Sequence, residues 1–136
     1  MTLQSNADRG RVTERDWAGR LSGLVLVWGL PIGAMLGAIA LDPLPKTLVW
    51  MAALGWMGVA CLLNARRCGR THCYYTGPFF LIMILPVALH GFAVMPLGPD
   101  GWQWLGMAVG IGGGGLWCLT EAAFGRYRKG DEGPRR

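Results

Sequence analysis

The chain reads as four long apolar runs separated by short polar punctuation. The first run extends from about Leu21 to Leu41 and holds no ionisable side chain. The second covers about Thr47 to Leu63, the third Phe79 to Met95, and the fourth Trp102 to Phe124. A helix that crosses the hydrocarbon core of a bilayer needs ~20 mostly apolar residues. Each run therefore predicts a transmembrane helix, and the predicted fold is an all-α membrane protein, a four-transmembrane-helix bundle. The spans and their connections fill residues 21–124, which leaves an N-terminal segment (1–20), a tail (125–136) and no room for a second folded domain.

The punctuation has its own chemistry. Asp42-Pro43-Leu44-Pro45-Lys46 and Pro96-Leu97-Gly98-Pro99-Asp100-Gly101 are rich in turn-forming residues and close the first and third spans. Pro31 removes a backbone hydrogen bond inside the first span and predicts a kink there. Asn64 to Pro78 predicts a polar loop. The first ten residues and the tail are expected to be disordered, and Thr13 to Arg20 predicts a short interfacial helix with Thr13 as N-cap and Trp17 at the headgroups. No apolar stretch or small-residue cleavage site of a signal peptide precedes the first span.

Lys and Arg are distributed very unevenly. The N-terminal segment has four, the loop after span two has three (Arg66, Arg67, Arg70), and the tail has five, while the two remaining connections share only Lys46. Positive charge is retained on the cytoplasmic side of short loops, so both termini and the 64–78 loop are predicted to be cytoplasmic, in the inner membrane of a bacterium or archaeon. Composition agrees: 52% of residues are hydrophobic and 15% are charged, against roughly 25% charged in a soluble domain. The net charge of +5 is explained by the bilayer and its anionic headgroups, so nucleic acid is not an expected partner.

Two glycine stripes recur at four-residue spacing, Gly29/Gly33/Gly37 in span one and Gly106/Gly110/Gly114 in span four. Such zipper-like stripes let helices approach closely. Spans one and four packing on each other is one reading; a homo-oligomer contact, a docking face for a larger membrane complex or a segment that deforms during transport are the others.

Chemistry concentrates in Cys68-Gly69-Arg70-Thr71-His72-Cys73. Two thiols and an imidazole within six residues suit Zn, Cu(I) and other thiophilic ions, and Gly69 can take a positive φ in a tight turn. Arg66, Arg67 and Arg70 would favour the thiolate. The spacing matches no common closed zinc pattern and lacks a fourth nearby ligand, which points to an open site for transient binding. The opposing reading makes Cys68 and Cys73 ordinary small residues, His72, Tyr74 and Tyr75 interfacial anchors, and the arginines topology signals only. Depth places Cys61 and Cys118 in the cytoplasmic third as well, behind the loop thiols. His90 stands inside span three, one turn after Pro86, as a metal stepping-stone, a proton-relay group, a haem axial ligand, or a neutral histidine bonded to backbone. Bis-histidine haem is disfavoured, because His72 sits toward the opposite face. Glu121 shares a helix face with Cys118 and is expected either to pair with an arginine of the 64–70 loop or to join the thiols.

Gly110-Ile111-Gly112-Gly113 lies within a span and follows no strand, so it is not a nucleotide loop. No Ser/His/Asp set or catalytic carboxylate pair is visible, and enzymatic function is not expected. In size, span count, four cysteines and the inner-face Cys68/Cys73 pair, the chain resembles the small mercuric-ion uptake proteins of bacterial resistance systems. The resemblance implies an all-helical membrane protein that hands a thiophilic ion between cysteines. That family carries an adjacent cysteine pair in its first span, and here Leu21 to Leu41 has none. The expectation is a small membrane protein that binds or moves a soft ion (Hg, Cu or Zn) through Cys68, His72 and Cys73, with Cys61, Cys118 and His90 on the path. The alternatives are a non-catalytic accessory subunit and a cofactor- or quinone-binding redox subunit.

Overall fold

The computed structural model describes residues 16, 17 and 20–125. Within them the chain forms four helices that are each long and apolar enough to cross a membrane: α1 (Leu21–Ala40), α2 (Pro43–Cys68), α3 (Thr71–Gly91) and α4 (Gly101–Phe124). The outward faces carry Leu21, Leu30, Ile82, Ile111 and Leu119, all well exposed, as a multi-pass membrane protein requires. The expected interfacial helix at 13–20 and the disordered ends fall largely outside the described residues.

Pro31 acts one turn earlier than a simple kink would suggest. The segment Val25–Gly29 is a π-helical turn, in which the Leu30 N–H reaches back to the Val25 carbonyl. Widening the turn re-routes the hydrogen bonds around the proline, which has no N–H to offer. Pro43 begins α2 at a first-turn position where its missing N–H costs nothing.

The expected loop at 64–78 is not a loop. α2 continues through Asn64 to Cys68, and α3 starts at Thr71, so only Gly69 and Arg70 connect them. Gly69 takes φ +68°, and its N–H closes on the Ala65 carbonyl at 2.8 Å. This left-handed cap ends a helix with no longer linker. Arg66 and Arg67 occupy the last turn of α2, where the helix dipole favours cations. Pro78 does not end a helix either; it lies inside α3, as does Pro86. Correspondingly, α3 ends at Gly91 and not near Met95.

α2 and α3 form the central hairpin, with α1 packed on α2 and α4 on α3. The two central helices meet closely where Gly58 and Gly77 face each other. A Cβ on Gly58 would lie 3.0 Å from the Gly77 carbonyl oxygen, and one on Gly77 would lie 3.2 Å from that of Gly58. Trp50, Leu54, Met57, Phe80, Val87 and Leu105 form the core on the side of this crossing away from the Gly69-Arg70 connection.

The two glycine stripes do not pack together. Among the described residues α1 and α4 make no backbone contact. Gly33, Gly37, Gly110 and Gly114 have nothing within 4 Å of where a Cβ would stand. Instead an apolar cleft of about 410 Å³ separates the helices, with Trp28 and Met35 on one wall, Gly106, Gly110 and Gly113 on the other, and Trp50, Met57 and Phe80 at its base. Trp28 and Trp117 bridge the helices at one end, with ring centroids 5.2 Å apart.

Candidate functional site

At the α2–α3 turn, polar side chains are buried in a molecule that is otherwise apolar. Asp16 and His72 are 0% exposed, Cys61 and Cys73 1%, and Asn64 3%. Burial of so many polar groups is tolerable only if they bond to one another, and they do.

His72 is the centre. Its Nδ1 lies 2.8 Å from Glu121 Oε1, and its Nε2 lies 3.3 Å from Cys73 Sγ. With the carboxylate accepting, the Nδ1–H donates to Glu121, and Nε2 faces the sulfur. The ring stacks on Trp117, with centroids 4.2 Å apart and planes at 12°. Trp28 stands on another side at 6.4 Å. The imidazole is thus fixed in orientation.

Arg70 organises the carboxylates. Its guanidinium pairs with Asp16 and, through Nε at 3.1 Å, with Glu121. Burial works against its charge, but hydrogen bonding and charge attraction from Asp16, then from Glu121, more than compensate and hold it above the ordinary arginine range. Asp16 also accepts from Asn64 Nδ2 at 2.9 Å. The same amide nitrogen lies 3.5 Å from Cys73 Sγ. Asn64 Oδ1 accepts from the Trp17 N–H at 3.0 Å, and Arg67 lies over the Trp17 ring at 4.5 Å. Residues 16 and 17 therefore form a strap across the base of the thiol cluster.

Cys61 completes the cluster. It packs with Cys73 and Ala65 beneath Trp28 and Tyr74. Thr76 Oγ1 donates to the His72 carbonyl at 2.9 Å and lies 3.7 Å from Cys61 Sγ.

The structure regroups the residues expected from sequence. His72 and Cys73 come together with Cys61. Cys68 is buried one turn away, donating to the Asn64 carbonyl at 3.1 Å, with the Asn64 amide between it and Cys73. Cys118 is exposed on α4 and Glu121 is turned inward, so the three-residue spacing does not put them on one working face. Glu121 takes the arginine expected for it, Arg70. Arg66 and Arg67 are exposed; of the three arginines only Arg70 enters the cluster. His90 lies at the far end of α3, roughly 27 Å from His72 at ~1.5 Å per residue. It is the penultimate residue of α3, its Nδ1 accepts from the Leu97 N–H at 3.1 Å, and its ring packs on Trp102 at 5.2 Å. That Nδ1 serves the α3–α4 turn and not the carbonyl left free by Pro86.

Asp16, Asn64, Thr76 and Trp117 were not anticipated. Asp16 and Asn64 are 48 positions apart in sequence, and neither belongs to a motif. Burial of a charge beside the first span is visible only once the hairpin is folded.

Among the described residues, no three His, Cys, Asp or Glu side chains converge closely enough to hold a metal ion as they stand. Two donors do fit. Thiolate and imidazole bonds of about 2.3 and 2.0 Å at a tetrahedral angle set S and N roughly 3.5 Å apart, and Cys73 Sγ and His72 Nε2 are 3.3 Å apart. A ligating imidazole commonly donates its other N–H to a carboxylate, the position Glu121 holds. No family model matches this sequence, and no similar curated protein or solved structure was found.

Proposed function

We propose that this chain is a small inner-membrane protein of a bacterium or archaeon that binds, and passes on, a soft thiophilic metal ion at its cytoplasmic end. Both termini and the α2–α3 turn face the cytoplasm in this reading, which rests on the lysine and arginine distribution. The carrying observation is the meeting of Cys73 Sγ and His72 Nε2 at 3.3 Å, with the Cys61 thiol alongside and Glu121 backing the imidazole. One thiolate and one imidazole in a buried site, with a second thiol nearby, suit Cu(I) or Hg(II) better than a hard cation. Cys68, behind Asn64, is the next thiol outward and a natural hand-over point. Cys118 and His90 have no part in the site.

Titration of purified protein with Cu(I) or Hg(II) in competition with a chelator tests the proposal. Ion binding is expected in the wild type and lost in Cys61→Ser/Cys73→Ser; unchanged affinity in that variant would remove the reading.

A second reading has its own observation. Gly29, Gly33 and Gly37 lie exposed on α1, and among the described residues nothing occupies the space beside Gly33 and Gly37. An accessory or oligomeric protein would use this ridge to seat another helix. Gly33→Leu would then abolish co-purification with the partner or the self-associated form while leaving ion binding intact.

A further inference from the structure

We propose that Cys61 and Cys73 are a redox pair, converted by peroxide into a reversible disulfide that staples α2 to α3 and withdraws both sulfurs from any ion. The inference uses the same thiols as the soft-ion site but stands on thiol geometry and needs no metal.

Backbone proximity is the first support. Disulfides need Cα atoms roughly 4.4–6.8 Å apart, closer than large side chains at a helix crossing usually allow. Here the crossing is made by Gly58 and Gly77, each with its carbonyl against the other's Cα. Cys61 is one turn beyond Gly58 along α2, and Cys73 is one turn before Gly77 on antiparallel α3. Both therefore lie one turn from the crossing on the same side, toward the Gly69-Arg70 connection. Each is 1% exposed, and they share one small cluster.

Selectivity is the second. Cys68 donates to its own helix at the Asn64 carbonyl, and the Asn64 amide separates it from Cys73. Cys118 is exposed on α4. The thiols nearest in sequence, Cys68 and Cys73, are thus not the reactive couple. At 1% exposure each, both sulfurs are shielded from bulky oxidants, so the oxidant proposed here is the small one, hydrogen peroxide.

The chemistry balances in two steps. One of the two sulfurs attacks a peroxide oxygen, the O–O bond breaks, and sulfenic acid and one water form. The other sulfur then attacks the oxidised one, the S–O bond breaks, and the hydroxyl leaves with the remaining thiol proton as a second water. Two thiols are oxidised by two electrons and one peroxide is reduced to two waters; a small dithiol reverses the reaction by exchange.

The test uses the Cys68→Ser/Cys118→Ser protein in phosphatidylcholine vesicles with chelator present. After peroxide and catalase, the protein is denatured and labelled with a polyethylene-glycol maleimide. Before peroxide both remaining thiols label. After it neither labels, the protein runs as a monomer without reductant, and dithiothreitol restores both. The wild type gives the same result by peptide mapping, as a Cys61–Cys73 linked fragment. Retention of either label, loss that dithiothreitol does not reverse, a disulfide-linked dimer, or a linked fragment containing Cys68 overturns the inference. Because metal is excluded, failure here leaves the soft-ion reading standing, and failure of ion binding leaves this one standing.

Discussion

Glu121 Oε1 stands 2.8 Å from His72 Nδ1 and 3.1 Å from Arg70 Nε, so one carboxylate oxygen joins the imidazole of α3 to the guanidinium of the turn. It decides which imidazole nitrogen faces sulfur, and it ties α4 to the central hairpin at its polar end.

Glu121→Gln keeps the shape and removes the charge. A carboxylate behind a ligating histidine is worth about 10–100-fold in metal affinity. Soft-ion affinity is expected to fall within that range while helix content by circular dichroism stays unchanged. An unaltered dissociation constant would show that His72 is not a ligand.

Asp16→Ala removes one of the two carboxylates on Arg70 and the acceptor of Asn64 Nδ2. Breaking a buried ion pair from one side costs 3–5 kcal/mol. Because Glu121 still holds Arg70, the lower end, about 3 kcal/mol, is expected in reversible SDS unfolding. Loss of the strap should also speed modification of Cys73 by a small maleimide in the folded protein. No change in either measurement would mean that the strap does not close the site.

The glycines separate by position and not by spacing. At Gly77 an added side chain meets Leu62 and the Gly58 carbonyl, and at Gly110 or Gly114 it meets nothing within 4 Å. Gly77→Val is expected to destabilise by about 1–3 kcal/mol, the usual cost of overpacking. Gly110→Ala and Gly114→Ala should stay within about 0.5 kcal/mol. Equal effects at all three would contradict the observed packing.

His90→Asn should cost about 1 kcal/mol, the worth of one hydrogen bond, through the Leu97 N–H contact at the α3–α4 turn. Ion affinity should not move. A large affinity change would bring the far end of α3 back into the ion path.

The spans were legible because run length against bilayer thickness is a coarse test that Leu21–Ala40 and Gly101–Phe124 pass on composition alone. The 64–78 segment misled because Asn64, Thr71, His72 and Thr76 read as polar loop residues. In the fold they bury their polarity against each other and remain helical. The Cys68/Cys73 pair was chosen by nearness in sequence. Contact across a helical hairpin depends on register, and that register is set by Gly58 and Gly77, which residue spacing does not reveal. Asp16 was invisible because its partners Asn64 and Arg70 lie 48 and 54 positions away.

The most direct test compares two double variants in one chelator-competition titration with Cu(I) or Hg(II). If the site is the buried cluster beneath Trp28, Cys61→Ser/Cys73→Ser loses high-affinity binding and Cys68→Ser/Cys118→Ser retains it. Full binding by the first variant, or loss confined to the second, would contradict the account.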